Sequence, residues 1–223
     1  QPIYGDRDIP DLAAIRALGL PFWSAGSYAQ PERIAEALDA GASGIQVGTA
    51  FAYCEESDLA PELKQQVLAA SRAGEAGVVT DAIASPAGFP FKVVQLSGTL
   101  SDDSLYGARR RICDLAYLRH AFAKANGTLG WRCPAEPTAD YLRKGGEEKD
   151  TRGRKCICNA LLANIGLGQL QRGGKREKPL VTSGDDVASV ARFLNPGACS
   201  YTALDVVQHL LSHVNPPSRA VRI

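Results

Sequence analysis

Two stretches of the sequence place a glycine and a hydroxyl residue directly after a predicted strand. In FWSAGSYA, Gly26 precedes Ser27, and in IQVGTAF, Gly48 precedes Thr49. Exposed backbone N–H groups combined with a hydroxyl suit a phosphate group, and a Cβ at either glycine would keep an anion away from the amides. The pattern therefore predicts a phosphate-binding site. The alternative is that these small residues only form tight turns between strand and helix.

The segments around these turns alternate between strand and helix. Short buried strands are predicted over 20–25 and 44–47, and helices over 12–18, 31–41 and 60–72, each joined by short connections. This order is typical of parallel βαβ units and predicts an α/β fold. In (β/α)8 barrels, a phosphate site formed by the loops after the last two strands recurs.

Beyond Gly74 the pattern changes. Further strands are predicted over 78–80 and 91–94, and from residue 101 the chain is expected to be helical and rich in loops. Ser101 is expected to cap one helix, Ser183 another, and a last helix is predicted over 202–214. We therefore expect two regions, 1–100 and 101–223.

The stretch 20–57 resembles the last two βα units of the nitronate monooxygenases, formerly called 2-nitropropane dioxygenases. The resemblance rests on PFWSAGSYA followed by GASGIQVGTAF and the acidic residues of CEES. The stretches TDAIASPAGFPFKVV and RCPAEP, RKCICNALLANIGLGQ and PLVTSGDD resemble the extended C-terminal region of one bacterial branch. The resemblance implies the C-terminal part of an FMN-dependent (β/α)8 TIM barrel, with the last βα units in 1–100, followed by a mostly helical region.

The resemblance also implies site residues. It places the FMN phosphate against Ala25, Gly26 and Ser27 of the first turn and against Gly48 and Thr49 of the second. The Gln46 side chain would lie beside the ribityl or phosphate part of the cofactor. The catalytic residues are unknown, because the active-site histidine and the acid–base residue of the family are expected upstream of Gln1, in barrel strands that a larger enzyme would supply.

Three functions stay open at this point. The first is oxidation of an alkyl nitronate by O₂ to a carbonyl compound and nitrite, with FMN as cofactor. The second is an FMN-dependent NAD(P)H enoyl-thioester reductase, which would share the phosphate turns. The third is a fragment or assembly partner without catalysis, because two or three βα units leave sheet edges that another chain must cover.

The resemblance implies a small-molecule substrate such as a nitronate, and composition argues against nucleic acid and membrane as partners. A net charge of +1 gives no electrostatic reason to expect nucleic acid or an anionic membrane surface. No apolar run approaches the ~20 residues that span a bilayer, and no export signal is visible. We therefore expect a cytoplasmic protein with reduced thiols, as a homo-oligomer or with an N-terminal barrel half still to be added. The start at Gln1 and the absence of methionine suggest a processed or truncated product.

The other reactive residues give weaker patterns. His209 and His213 have the i, i+4 spacing of metal ligands but no third ligand, so we expect no metal site. Cys113, Cys133, Cys156 and Cys158 could in principle form a four-thiolate metal site, but they lack paired CxxC spacing. We therefore interpret them as buried or free thiols whose role cannot be assigned from sequence. The remaining residues that were weighed as site candidates and interpreted as structural are His120, Cys54, Glu55, Glu56, Lys92, Asp185 and Asp186.

Overall fold

The computed structural model describes residues 3–212. The helices are α1 Leu12–Ala17, α2 Pro31–Asp39, α3 Thr49–Ala52, α4 Pro61–Arg72, α5 Asp103–Ala108, α6 Thr138–Arg143, α7 Glu148–Thr151, α8 Cys158–Ala163 and α9 Ala203–Leu211, with 3-10 helices at Asp6–Asp8 and Asp185–Phe193. The strands are β1 Trp23–Ala25, β2 Gly44–Gln46, β3 Val78–Asp81, β4 Phe91–Val94, β5 His120–Ala123 and β6 Leu129–Arg132. Among residues 3–212, every helix is too short or too polar to span a bilayer.

The chain folds into two compact units. The inserted unit is Gly77–Ser183, and the discontinuous unit combines residues 3–76 with residues 184–212. The boundary expected after residue 100 from the sequence falls inside the inserted unit. Each unit has its own buried residues and is described separately below.

The discontinuous unit contains the predicted parallel βαβ arrangement. Strand β1 pairs with β2 in parallel, with Trp23 opposite Gly44 and Ala25 opposite Gln46. Helix α2 forms the crossover between them and begins with Pro31 in its first turn, where the missing N–H costs no hydrogen bond. The predicted strands and the helices near 31–41 and 60–72 are therefore confirmed, with shorter bounds.

Helix α4 and the 3-10 helix Asp185–Phe193 form the core of this unit. Val67 of α4 is fully buried, as are Val187 and Val190 of the 3-10 helix. The Ser71 hydroxyl fastens the two helices, since it donates to the Ala188 carbonyl and accepts from the Ala191 N–H, at 3.0 Å each. The predicted helix after Ser183 exists, but Gly184 is its N-cap and no side chain caps it.

The inserted unit is built from two antiparallel strand pairs and short helices. Strand β3 pairs with β4, and β5 pairs with β6. A core cluster joins Val93, Leu100, Ile157, Ala160 and Leu180. The segment around Leu180 lies along β4, because the Val94 N–H donates to the Val181 carbonyl at 2.9 Å.

The fold is mixed α/β, as expected, but two finer expectations differ from the structure. The described residues contain three two-stranded sheets and no closed barrel. The region after residue 101 is also not mostly helical, because β5 and β6 form a hairpin there. The helix expected to carry Leu105, Ile112, Leu115 and Leu118 is confined to Asp103–Ala108, and its cap is Asp102 rather than Ser101.

The last helix begins with a capping box. The Thr202 hydroxyl accepts from the Asp205 N–H at 3.1 Å, and the Asp205 carboxylate accepts from the Thr202 N–H at 2.7 Å. Helix α9 is described to Leu211; the predicted residues His213 and Val214 lie outside the described residues.

This cap makes stability depend on pH. Hydrogen bonds from the Thr202 backbone and side chain lower the pKa of Asp205 below its usual value. The cap therefore contributes fully above the ordinary pKa of an aspartate, and its contribution is lost as the pH falls through the lowered value. We expect Asp205→Asn to lower the free energy of unfolding at neutral pH and to leave less difference from wild type at pH 3. Urea denaturation at both pH values measures this, and an equal difference at both would contradict it.

Candidate functional site

The two small-residue turns lie side by side. Both follow the carboxyl ends of strands that are neighbours in one parallel sheet, and the strand ends Ala25 and Gln46 are register partners. Loops at this edge of a parallel sheet meet in one place, which is where ligands of open and closed α/β folds bind. The structure therefore brings together the two segments that the sequence singled out.

The predicted residues are accessible at this edge. Ala25, Gly26, Ser27, Gln46 and Gly48 are exposed, and Thr49 is partly buried. None of them is held inside the core, so an incoming anion would meet the turns directly.

The first turn depends on its glycine for conformation. Gly26 has φ +89°, in the region that L side chains rarely adopt, and a Cβ built there would meet no atom within 4 Å. Ser27 follows with φ +58°, a left-handed conformation that is uncommon for a non-glycine residue. The backbone is therefore turned sharply at the strand end, and the space beside Gly26 stays open.

The second turn needs its glycine for neither conformation nor packing. Gly48 has φ −113° and ψ −57°, and a Cβ there would also meet nothing within 4 Å. Ala50, which follows in α3, is completely buried, and its N–H belongs to the first turn of a helix, where amides have no partner within the helix. The backbone that this turn exposes is therefore that of Gly48.

The Thr49 hydroxyl has a partner that the sequence did not suggest. Its Oγ1 accepts from the Gly184 N–H at 3.1 Å, and a Cβ on Gly184 would lie only 2.7 Å from that oxygen. The glycine therefore permits the close approach. Because the Thr49 oxygen acts as acceptor here, its hydroxyl proton is free to be donated to a ligand.

Hydrogen bonds from Tyr201 and Lys64 hold the second turn and the loop after it in place. The Tyr201 hydroxyl donates to the Ala50 carbonyl at 2.6 Å, and burial raises the pKa of Tyr201 well above its usual value. Lys64 Nζ donates to the carbonyls of Cys54 and Glu55 at 3.1 Å each and to that of Ser57 at 3.0 Å. The loop that leaves α3 is thereby fixed.

Cys54, Glu55 and Glu56 have structural partners. Cys54 is buried and donates to the Phe51 carbonyl at 3.1 Å, and burial raises its pKa. The Glu55 carboxylate accepts from the Ser200 hydroxyl, and the Glu56 carboxylate accepts from the Ala203 N–H at 2.8 Å. The latter hydrogen bond lowers the pKa of Glu56. Both carboxylates anchor the segment before α9, which agrees with the interpretation that they are not a catalytic pair.

The other residues that were weighed as site candidates belong to elements other than the two turns. The His209 ring packs edge-on against Phe193, with centroids 5.1 Å apart. His120 is exposed on β5, and Lys92 lies opposite Thr80 in the β3–β4 pair. As their side chains stand, no three histidine, cysteine or acidic residues between positions 3 and 212 are grouped to hold a metal ion.

Four cysteines line a separate small cavity in the inserted unit. Cys113, Cys133, Cys156 and Cys158 surround a space of ≈ 20 Å³. Burial raises the pKa of Cys133 to about 11 and also raises the pKa values of Cys156 and Cys158. These raised pKa values mean that Cys133, Cys156 and Cys158 are neutral thiols at neutral pH. The structure thus brings together the four cysteines that the sequence offered as a possible four-thiolate set.

Comparison with known proteins agrees with the sequence resemblance over part of the chain. No family model matches. The chain is 40% identical over 60 residues to a probable nitronate monooxygenase of Bacillus subtilis, an alignment that covers 27% of this chain and 17% of the relative. It is 35% identical over 94 residues to a nitronate monooxygenase of Pseudomonas aeruginosa, which covers 40% of this chain and 27% of the relative.

The chain is similar to nitronate monooxygenases. It spans less than a third of the length of these two curated relatives. The similarity supports an oxidoreductase of that family at most, and no specific activity follows from it.

The two turn glycines should respond differently to substitution. Gly26→Ala forces a Cβ into the left-handed region and should cost about 1–2 kcal/mol of unfolding free energy. Gly48→Ala keeps an ordinary backbone and meets open space, so it should change stability by no more than about 0.5 kcal/mol. Urea denaturation of both variants tests this, and a Gly48→Ala loss as large as that of Gly26→Ala would contradict it.

Tyr201→Phe should also destabilise the protein, because it leaves the Ala50 carbonyl buried without its donor. We expect a loss of about 1–3 kcal/mol in unfolding free energy. Tyr117→Phe is the matched control, since Tyr117 is 70% exposed, and it should stay within about 0.5 kcal/mol of wild type. Equal losses in both variants would show that the buried hydrogen bond does not stabilise the turn.

Proposed function

We propose that this chain supplies the phosphate-binding end of an FMN-dependent oxidoreductase of the nitronate monooxygenase type. The reaction is oxidation of an alkyl nitronate by O₂ to a carbonyl compound and nitrite. The observation that carries the proposal is the pairing of two exposed small-residue turns at the ends of neighbouring parallel strands.

The residues present fit a phosphate group. At Gly48 the chain has an open space that a Cβ would occupy, although neither its backbone angles nor its packing requires glycine. Close approach of a ligand to the backbone would account for a glycine at this position. The Thr49 hydroxyl is then available as a donor to a phosphate oxygen.

The first turn would complete the cradle. Gly26 and Ser27 turn the chain away from β1 and expose their backbone at the same edge, and Ser27 adds a second hydroxyl. Hydrogen bonds from neutral donors to a dianion are charge-assisted and stronger than neutral ones. Gln46, exposed at the end of β2, would donate its amide to the polar chain that links phosphate and ring.

In this proposal the protein positions the cofactor and the cofactor supplies the redox chemistry. Bound FMN would accept electrons from the nitronate and pass them to O₂. The chain's own contribution is to anchor the phosphate, so that the ring is held at a fixed distance from the sheet edge. We assign no catalytic residue within the described chain.

A phosphate-specific binding experiment tests the site. FMN and riboflavin differ only in the phosphate, so the wild-type protein should bind FMN more tightly, measured by quenching of flavin fluorescence. Gly48→Ala should weaken FMN binding about tenfold or more, as expected for loss of one charge-assisted hydrogen bond, and leave riboflavin binding unchanged. Gly107→Ala is the control, because Gly107 is an exposed glycine in α5 with open space around it.

Two results would contradict the proposal. Equal affinities of the wild-type protein for FMN and riboflavin would show that the phosphate does not bind at these turns. A protein that binds FMN but releases no nitrite from an alkyl nitronate, and whose flavin is instead bleached by NADPH, would be an enoyl-thioester reductase or a related enzyme. From an enzyme that contains this chain together with the remaining barrel strands, we expect nitrite release under air without NADPH.

A further inference from the structure

All four cysteines of the inserted unit meet at one cavity. Cys113 lies in the loop after α5, Cys133 follows β6, and Cys156 and Cys158 lie at the start of α8. The chain therefore brings three separate segments to one space of ≈ 20 Å³. The two other cysteines of the sequence, Cys54 and Cys199, belong to the discontinuous unit. Chance placement of four thiols on one small cavity is a poor explanation for this arrangement.

The backbone beside these cysteines is held by side chains around the cavity. Arg119 donates to the Cys113 carbonyl at 3.3 Å, and the Cys133 N–H donates to Glu136 Oε1 at 3.4 Å. The Cys156 N–H donates to the Tyr106 hydroxyl at 2.7 Å. Partners of this kind fix the direction of coordinating side chains in metal sites.

Glu136 is itself fixed. Its side chain is buried, and its second oxygen forms an ion pair with Lys144 at 2.5 Å. The backbone around Cys133 is therefore fixed through Glu136, by a hydrogen bond within its own turn and by an ion pair with Lys144 at the end of α6.

Two arginine side chains near the thiols lack some of the hydrogen-bond partners and negative charge that would compensate them. Arg119 lines the cavity, and its Nε is buried with no hydrogen-bond partner among residues 3–212. Arg109 acts electrostatically on Cys156, and its Nε is likewise buried and unpartnered within the described chain. Although Arg109 pairs with Glu177, the neutral thiols do not offset the charge of Arg119. A centre with net negative charge would supply the missing compensation.

We propose that Cys113, Cys133, Cys156 and Cys158 form a closed tetrathiolate site for a single zinc-sized metal ion. Four thiols bind one Zn²⁺ and release four protons to solvent, which leaves a centre with a charge of −2 beside the two arginines. The cavity holds about one water-sized species, which suits one ion and is too small for an iron–sulfur cluster. As the side chains stand the thiols are not in ligating positions, so binding turns them inward while their backbones stay fixed.

The site is structural. With four protein ligands, no coordination position is left for water or substrate. The ion would join the loop after α5, the end of the β5–β6 hairpin and the start of α8. The proposal does not depend on flavin binding, because every residue that it uses lies in the inserted unit.

Metal analysis of the purified protein tests the proposal. After reduction, incubation with zinc and removal of free metal, wild type should retain about one zinc ion per chain by mass spectrometry. Cys133→Ser and Cys156→Ser should each retain only background metal. Cys199→Ser is the matched control, because Cys199 is exposed and outside the cavity, and it should retain as much as wild type. Equal zinc in all three variants, or none in wild type, would overturn the proposal.

A second measurement uses the wild-type protein alone, so that unfolding of a serine variant cannot decide the result. Cobalt added to the reduced protein should give the sulfur-to-metal charge-transfer absorption and intense visible bands of a tetrahedral thiolate site. Zinc should protect four thiols from alkylation, located by peptide mapping, while Cys199 still reacts. Alkylation that is the same with and without zinc would overturn the proposal, as would a disulfide between two of the four cysteines in protein that takes up no metal.

Discussion

Parallel pairing of β1 with β2 is the constraint on which the candidate site depends. The two strands are joined by a crossover helix and run in the same direction, so both of their carboxyl ends reach the same edge. The parallel pairing extends one residue ahead of the start of both strands, where the Ser43 N–H donates to the Phe22 carbonyl at 2.7 Å. A Cβ built on Gly44 would lie 3.2 Å from Cδ1 of the Trp23 indole, so the indole packs against this glycine. A one-residue slip would place Ile45 under the indole and separate the two turns.

The sequence predicted the local part of this arrangement but not its support. Strand, turn and helix around Gly26 and Gly48 are encoded within a few residues, because glycine, proline and apolar spacing act locally. The contact between Thr49 and Gly184 joins positions 135 residues apart in the chain. Ser183 and Gly184 looked like an ordinary helix start, and nothing nearby in sequence indicated that the Gly184 N–H would reach the second turn. Tyr201, which supports the same turn, was missed for the same reason.

The β5–β6 hairpin had a local signal that the sequence analysis did not use. Asn126 and Gly127 form the turn, where Gly127 has φ +75° and the Lys124 N–H donates to the Thr128 carbonyl at 2.8 Å. Asparagine followed by glycine is a strong hairpin signal. It was overlooked because β5 is largely exposed and rich in alanine, so it lacks the alternation of apolar residues that marks a half-buried strand.

The sequence offered the four cysteines as a possible set but could not show that they meet, because their spacing is informative only once the fold is known. CxxC motifs are informative since one turn supplies two ligands, whereas here three segments supply four. The fold also gives a physical reason for a metal at this place. No described helix of the inserted unit exceeds six residues, and its strand pairs have only two strands each. Elements of this size are marginal alone. The core cluster around Val93 and Leu100 reaches the start of α8 through Ile157, and an ion bound by the four thiols would join the loop after α5 and the end of the β5–β6 hairpin to the same place.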